Sequence, residues 1–250
     1  MVTPLFHHQL DSVPKPGETI SLRGAEAKHA IAVRRMRVGE PIQLANGAGL
    51  RVIGAISFID DAKGEQSLTL TAQTVVQEDS PSPALVLIQA LAKGDRDELA
   101  IQAATELGAS VVVPWQADRS VSRWEGSKVT KGVERWQSIV GEAAKQALRA
   151  FTPEVAQPVT SKQLMASFTN YSRVLVLDPT ATVSVSTVEL PNQGSIAILV
   201  GPEGGMTDHE LESFQSCGAH RVHLGDSILR TSTAGMAAIS VLQSRLGAWS

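Results

Sequence analysis

Four runs of almost continuous apolar residues lie in the last two thirds of the chain, at positions 84–91, 111–114, 174–177 and 196–200. Strands that are apolar without alternation are covered on both faces, as in parallel sheets flanked by helices. Segments with apolar residues at helical spacing separate these runs. The alternation of strand and helix therefore predicts an open α/β sheet with right-handed crossovers.

Each predicted helix carries one apolar stripe. The stripes comprise Leu99, Ala103 and Leu107 in the first helix, Val133, Trp136, Val140, Ala143 and Ala147 in the second, and Met236, Ile239, Leu242 and Leu246 in the last, at positions 233–246. Thr207 and Glu210 have the spacing of a capping box, in which each side chain accepts a hydrogen bond from the other residue's backbone N–H. A further helix is expected to begin there. Thr231 and Thr233 are candidate N-caps of the last helix.

The first 78 residues show mostly an alternating pattern instead. Strands are predicted at 18–22, 41–45, 50–59 and 67–76, with one helix at 26–37. This arrangement predicts a small β-barrel with one helix. The polar segment 77–83 holds two prolines and predicts a linker, because a proline favours extended backbone at the residue before it. We therefore expect domains at 1–78 and 79–250.

The composition excludes several classes of protein. Of the 250 residues, 43% are apolar and 19% are charged, which allows a buried core and excludes a disordered chain. The net charge of −3 excludes a wholly basic nucleic-acid-binding protein but allows a local basic patch. The single cysteine, Cys217, excludes an intrachain disulfide. With no long apolar run and no signal-peptide pattern, these features favour a cytoplasmic protein that does not enter a membrane.

Glycines are concentrated in two late segments. The chain lacks the glycine patterns of dinucleotide sites, phosphate loops and hydrolase nucleophile turns. Instead, LVGPEGGMTDHEL occupies 199–211 and HLGDSILRTSTA occupies 223–234, each where a predicted strand ends. Ligands bind at such strand ends in open α/β sheets, and glycine lets the backbone approach them. His220 and His223 are expected to face opposite sides of a short strand, so no metal site is predicted.

These two segments together resemble the SPOUT class of knotted RNA methyltransferases, and in particular the RsmE family of 16S rRNA uridine-N3 methyltransferases. Other segments are similar to the same family: 93–98 with 104–108 to its first crossover, 135–146 to its second, and 28–39 to its RNA-binding barrel. Ser232 stands where the family's motif usually has a glutamate. The resemblance covers nearly the whole chain.

The resemblance implies a C-terminal SPOUT α/β domain with a deep trefoil knot and an N-terminal PUA-like β-barrel that grips rRNA. It also implies a homodimer, with S-adenosylmethionine held near the subunit interface by the loops after Leu177, Val200 and Leu224. A sulfonium is an activated methyl donor, so no metal is required. The expected cofactor-binding residues are Leu177, Val200, Gly201, Pro202, Gly204, Gly205, Leu224, Gly225, Ile228, Leu229, Thr231 and Thr233.

Two residues in these segments are candidates for catalysis. Arg230 is expected at a helix N-terminus, where a cation is electrostatically disfavoured, and this conflict indicates a functional role. Glu203 lies between glycines, and either catalysis, a helix cap or a contact with a partner subunit would explain it.

The densest basic segment lies at 23–37, with five cations and one anion. Such local charge favours phosphate contacts. The candidate RNA-binding residues are those of this segment and two pairs further along: Arg23, Lys28, His29, Arg34, Arg35, Arg37, Lys93, Arg96, Lys145 and Arg149. Surface charge without RNA contact explains the two later pairs equally well.

The predicted function is S-adenosylmethionine-dependent methylation of N3 of a uridine in 16S rRNA of the small ribosomal subunit. One alternative is a non-catalytic rRNA-binding assembly factor, against which the intact glycines of both loops argue. The other is a SPOUT methyltransferase of another RNA, such as a tRNA ribose. The basic N-terminal segment favours the rRNA family.

Overall fold

The computed structural model describes residues 2–10, 12–62 and 66–249, which form two compact units. The first unit comprises Met1–Ser80 and Ala144–Thr152, and the second comprises Pro81–Ala143 and Pro153–Ser250. The segment Ala144–Thr152 was not part of the N-terminal domain expected from the sequence. It joins the first unit through backbone hydrogen bonds, from Gly49 N–H to the Ala150 carbonyl and from Thr152 N–H to the Gly47 carbonyl.

The first unit is built on a five-stranded sheet. Its strands are β1 (Leu5–His7), β2 (Thr19–Arg23), β3 (Pro41–Ala45), β4 (Leu50–Asp60) and β5 (Ser67–Gln77), in the order β1-β3-β4-β5-β2. Among the described residues β1 and β2 are the sheet edges and do not pair with each other. The expected closed barrel is therefore corrected to an open half-barrel. A period of two shows that a strand has one buried face, but it does not show whether the edges meet.

The helix of this unit is shorter than expected. Helix α1 (Gly24–Lys28) continues as a single π-helical turn, His29–Val33, rather than to residue 37. The Arg34 N–H bonds to the His29 carbonyl, and Arg35 takes a positive φ of 54°. Ala27 and Ala30 face the core of the unit, so the cations of this segment point outward.

The second unit is an all-parallel seven-stranded sheet. Its strands are β6 (Ala84–Ala90), β7 (Val111–Gln116), β8 (Glu154–Val155), β9 (Val159–Thr160), β10 (Arg173–Leu177), β11 (Ser195–Val200) and β12 (His220–Val222). The order is β12-β10-β11-β6-β7-β8, and β9 also pairs with β7. Alternate residues of β6 enter two separate cores: Leu85 and Leu87 one, Val86 and Ile88 the other. The predicted α/β sheet, covered on both faces, is confirmed.

The remaining described helices are α2 (Arg96–Glu106), α3 (Ser127–Gln146), α4 (Ser161–Ala166), α5 (Asp208–Ser216) and α6 (Thr231–Arg245), with one 3-10 helical turn at Phe168–Asn170. The capping box is confirmed, because Thr207 and Glu210 each accept the other's backbone N–H at the start of α5. No described helix has the length and apolar character needed to cross a membrane.

Two predictions about the helices were wrong. Helix α2 buries Ala100, Ile101 and Ala104, whereas Leu99 of the expected stripe is 51% exposed. These residues face the core because α2 packs against α6 as well as β6. Helix α6 begins at Thr231 and its N-cap is Arg230, which makes no side-chain cap, so neither Thr231 nor Thr233 is the N-cap.

Candidate functional site

A cleft lies in the second unit, where β10, β11 and β12 end. Its volume is about 700 Å³, within the range of small-molecule sites, and its walls are the segments that follow these three strands. Parallel strands bring their carboxyl ends to one edge of a sheet, so loops distant in sequence meet there.

Most of the expected cofactor residues line this cleft. They are Leu177, Val200, Gly201, Pro202, Gly205, Leu224, Gly225, Ile228, Leu229 and Thr231, and the catalytic candidates Glu203 and Arg230 join them. Gly204 and Thr233 are not among the lining residues. Gly204 instead lies against Arg119, and the Thr233 hydroxyl donates to the Arg230 carbonyl.

We call residues 201–206 the glycine loop. Its turn is closed by a hydrogen bond from Gly205 N–H to the Pro202 carbonyl, and Gly205 takes a φ of +69° that glycine adopts without steric cost. At its start, the Gly201 carbonyl accepts the Thr231 hydroxyl at 2.8 Å. The same hydroxyl accepts from buried Gln89 Nε2 at 2.8 Å, so this network joins β6, the glycine loop and α6.

Glu203 makes a structural contact rather than a helix cap. Its Oε1 accepts from Arg96 Nη1 at 2.7 Å and from the Lys93 N–H at 3.1 Å. Burial acts to raise the pKa of Glu203, but hydrogen bonds from its own N–H, Arg96 and Lys93 outweigh burial and lower it. The carboxylate stays ionised at neutral pH and is a poor proton acceptor, which argues against a role as general base.

The loop at 223–230 forms the outer wall of the cleft. His223 Nδ1 accepts the Gly225 N–H at 3.0 Å, and Gly225 takes a φ of +108°. A Cβ placed on Gly225 would meet no heavy atom within 4 Å, so its Cα faces open space. Ile228 is 83% exposed, and Arg230 is also exposed where α6 begins. This wall presents backbone, apolar surface and one cation to a ligand.

Sequence reasoning missed an ion pair in the cleft wall. Arg221 Nε donates to Asp178 Oδ2 at 2.6 Å, and Arg221 Nη2 donates to Thr180 Oγ1 at 2.8 Å. Burial acts to raise the pKa of Asp178, but hydrogen bonds from Thr180 and Arg221 lower it overall. Asp178 directly follows the apolar run of β10, so the rule that strand ends hold ligands could have indicated it.

The basic segment at 23–37 presents its charges to solvent. The exposed cations, none of which forms an ion pair within the described part of the chain, are Arg23, Lys28, Arg34, Arg35 and Arg37. His29 is half-buried, with its ring edge-on to Phe6 at a centroid distance of 5.8 Å. The five cations remain candidates for phosphate contacts, whereas His29 packs against the core.

Three of the four later basic candidates are either ion-paired with a carboxylate or partly buried. Lys145 Nζ lies 2.7 Å from Glu26 Oε1 and its side chain is only 10% exposed. Arg149 is half-buried, and burial lowers its pKa. Arg96 is paired with Glu203, which leaves the exposed Lys93 side chain. These contacts argue against phosphate binding by Lys145, Arg149 and Arg96. Among the described residues no cluster of potential metal ligands occurs.

Comparison with known proteins shows the family of this chain. Residues 78–243 match the family model of an RNA methyltransferase domain, and residues 22–64 match that of an RNA methyltransferase PUA domain. Ribosomal RNA small subunit methyltransferase E of Mycobacterium tuberculosis is 36% identical over 252 residues, which cover 98% of this chain and 94% of that protein. The chain belongs to the ribosomal RNA small subunit methyltransferase E family. The predicted family is confirmed, and with it an RNA methyltransferase with a PUA-like N-terminal part.

Two solved structures are similar to this chain over nearly its whole length. The methyltransferase E of Neisseria gonorrhoeae bound to S-adenosyl methionine has a TM-score of 0.84 at 27% identity, covering 98% of both chains. A putative methyltransferase of Legionella pneumophila in complex with the same cofactor has a TM-score of 0.83, also at 27% identity and 98% coverage of both chains.

Proposed function

We propose that this protein transfers the methyl group of S-adenosylmethionine to N3 of a uridine in 16S rRNA of the small ribosomal subunit. The observation that carries the proposal is the cleft of about 700 Å³ at the ends of β10, β11 and β12, walled by the two glycine segments. Membership of the methyltransferase E family supplies the class of substrate. The predicted cofactor agrees with the two related structures that contain it.

The residues of the cleft fit S-adenosylmethionine. The open space beside Gly225 and the turn at Gly205 let a ligand approach backbone N–H and C=O groups. Ile228 and Leu229, exposed by 83% and 37%, offer an apolar surface for a flat heteroaromatic ring. The bound cofactor supplies a methyl group on a positively charged sulfur. The glycine loop and the loop at 223–230 would hold it.

Arg230 is the residue we assign to the uracil. N3 must lose its proton, and the negative charge then spreads onto the carbonyl oxygens. A guanidinium beside one of these oxygens stabilises that charge more than it stabilises the neutral base, which lowers the barrier. Arg230 lines the cleft and forms no ion pair within the described part of the chain. Glu203, held by Arg96, would keep the glycine loop in place.

The first unit is proposed to grip rRNA through its exposed basic segment. We expect that replacing Arg34, Arg35 and Arg37 by Ala weakens binding to the small subunit or its rRNA by roughly tenfold or more, because phosphate contacts release condensed counterions. The logarithmic salt dependence should flatten by about two units. Binding titrations at several salt concentrations measure both quantities.

A matched control removes three exposed lysines of the second unit, Lys128, Lys131 and Lys162. This variant loses the same total charge, so a general electrostatic effect would weaken its RNA binding equally. If the two variants behave alike, the basic segment is not the gripping surface. The affinity for S-adenosylmethionine should be unchanged in both.

The protein is further proposed to be a cytoplasmic homodimer with a trefoil knot in its second unit, as the family resemblance implies. Helix α6 and the loop before it would bury the two-fold interface. Ile228, before this helix, and Trp249, after it, are 83% and 54% exposed, and such apolar side chains favour burial. Light scattering should give the mass of two 26.5 kDa chains. A fully active monomer at micromolar concentration would contradict the interface.

The decisive experiment incubates undermethylated small ribosomal subunits with the protein and labelled S-adenosylmethionine, followed by nucleoside analysis. The expected product is 3-methyluridine in 16S rRNA. Label on a ribose or in tRNA would support another methyltransferase activity. Binding of subunits without any transfer of label would support a non-catalytic assembly factor.

A further inference from the structure

The glycine loop is fastened on the side that faces away from the cleft. Gly201, Pro202, Glu203, Gly205 and Met206 line the cleft, whereas Gly204 does not. Its outer neighbour is Arg119, which lies in the short loop after β7. A Cβ on Gly204 would stand 3.3 Å from Arg119 Cβ and 3.6 Å from its Cδ. The stem of the arginine therefore covers the outer face of the loop.

Arg119 also bonds to the loop backbone. Its Nη1 donates to the Gly204 carbonyl at 3.1 Å and to the Met206 carbonyl at 3.3 Å. These carbonyls flank Gly205, whose positive φ shapes the turn. Arg119 forms no ion pair within the described part of the chain, so its guanidinium is directed to backbone oxygens alone.

Hydrogen bonds to one buried side chain hold the loop that carries Arg119. Buried Glu210 accepts the N–H of neighbouring Asp118 at 3.0 Å and the Ser161 hydroxyl at 2.8 Å. The same side chain accepts the Thr207 N–H at 2.9 Å in the capping box that follows the glycine loop. One carboxylate thus fixes both the loop that carries Arg119 and the end of the segment that Arg119 holds.

We propose that Arg119 is a positioning residue, which holds the Gly204–Met206 backbone in the conformation that binds S-adenosylmethionine without touching the ligand. This inference rests on the proposed function, since it assigns the cofactor to the glycine loop. Because two carbonyls share one donor group, removal of that donor frees the turn at Gly205 while the remaining contacts at Gly201 and Glu203 keep the loop attached.

The principal variant is Arg119→Met, which keeps a stem of similar length over Gly204 and removes the donors. Calorimetry should show S-adenosylmethionine binding weakened about tenfold, the scale of one charged hydrogen-bonding group at an exposed site. The single-turnover methyl-transfer rate at saturating cofactor should stay within about twofold of the unsubstituted chain, because the reacting groups are unchanged. Arg119→Lys restores a donor and should recover affinity to within about threefold.

Arg123→Met, an exposed arginine four residues further on, is the matched control and should bind normally. Unchanged affinity in Arg119→Met would overturn the proposal. Equal losses in the Met and Lys variants, or a lowered unfolding temperature in both, would assign Arg119 to folding and also overturn it.

A second measurement does not depend on the cofactor. Without ligand, hydrogen exchange at the Gly205 amide, which donates to the Pro202 carbonyl, should be about tenfold faster in Arg119→Met than in Arg123→Met. If the unsubstituted chain bound no S-adenosylmethionine, the proposed function would fail, and this exchange rate would still decide whether Arg119 fastens the loop. Equal exchange in the two variants would show that it does not.

Discussion

Replacing Arg230 by alanine should lower the rate of methyl transfer about a hundredfold at saturating RNA and cofactor, the scale of losing one preorganised donor to a developing negative charge. Arg230 stands exposed at the N-cap of α6, where the helix dipole disfavours a cation, and it lines the cleft. A negative charge that forms on the uracil beside Arg230 would offset this unfavourable interaction with the helix dipole. A single-turnover assay measures the rate.

Two comparisons separate this role from binding. Arg230→Lys keeps the charge but loses the planar pair of donors, so it should recover little of the rate. Raising the pH should partly rescue Arg230→Ala, because hydroxide then favours the deprotonated uracil. If Arg230→Ala only weakens RNA or cofactor binding and leaves the saturated rate intact, Arg230 is a binding residue and the proposed mechanism is wrong.

Replacing Gly225 by valine should weaken S-adenosylmethionine binding by about a hundredfold or more. Gly225 takes a φ of +108°, in which a branched side chain is strained, and its Cα faces the open space of the cleft. The new side chain would occupy the approach of the ligand as well as distort the loop. Gly201→Val should act in the same direction, since its Cβ would stand 3.2 Å from Met206 Cγ. Calorimetry on folded variants measures the affinity.

Gly218 offers a matched control for the backbone strain. It takes a φ of +93°, a Cβ there would also meet nothing within 4 Å, and it lies outside the cleft lining. Gly218→Val therefore carries a comparable conformational cost and should bind S-adenosylmethionine normally. Equal loss in Gly218→Val and Gly225→Val would attribute the effect to general destabilisation. Unchanged binding in both Gly201→Val and Gly225→Val would remove the cofactor from these loops.

The period of the apolar residues was sufficient to predict the central architecture. Continuous runs such as 196–200 are buried on both faces because helices cover both sides of a parallel sheet, and the structure places them there. The capping box at Thr207 and Glu210 was equally predictable, since both partners lie within one helical turn. Such local patterns involve only residues that are close together in the sequence, so they can be predicted without knowledge of tertiary contacts.

Patterns of burial that depend on a distant partner were predicted less well. The stripe predicted for α2 from helical spacing included Leu99, yet packing against α6 and β6 buries Ala100, Ile101 and Ala104 instead. The alternating strands of the first unit indicated one buried face each, but not the open edges of the sheet. In both cases the helix or strand was predicted correctly. Contacts with distant segments decided which residues are buried and which strands pair.

The sequence by itself determined the parallel sheet, the two late glycine segments and the local basic charge. Only the tertiary structure decided which of these groups are available to a ligand. Lys145 and Glu26 are 119 residues apart, and their ion pair argues against the RNA contact predicted for Lys145. Likewise, Gly204 and Gly205 are adjacent and chemically identical, but Gly204 lies against Arg119 whereas Gly205 lines the cleft. Composition and spacing specify which groups exist, whereas their exposure and partners depend on contacts between segments that the fold brings together.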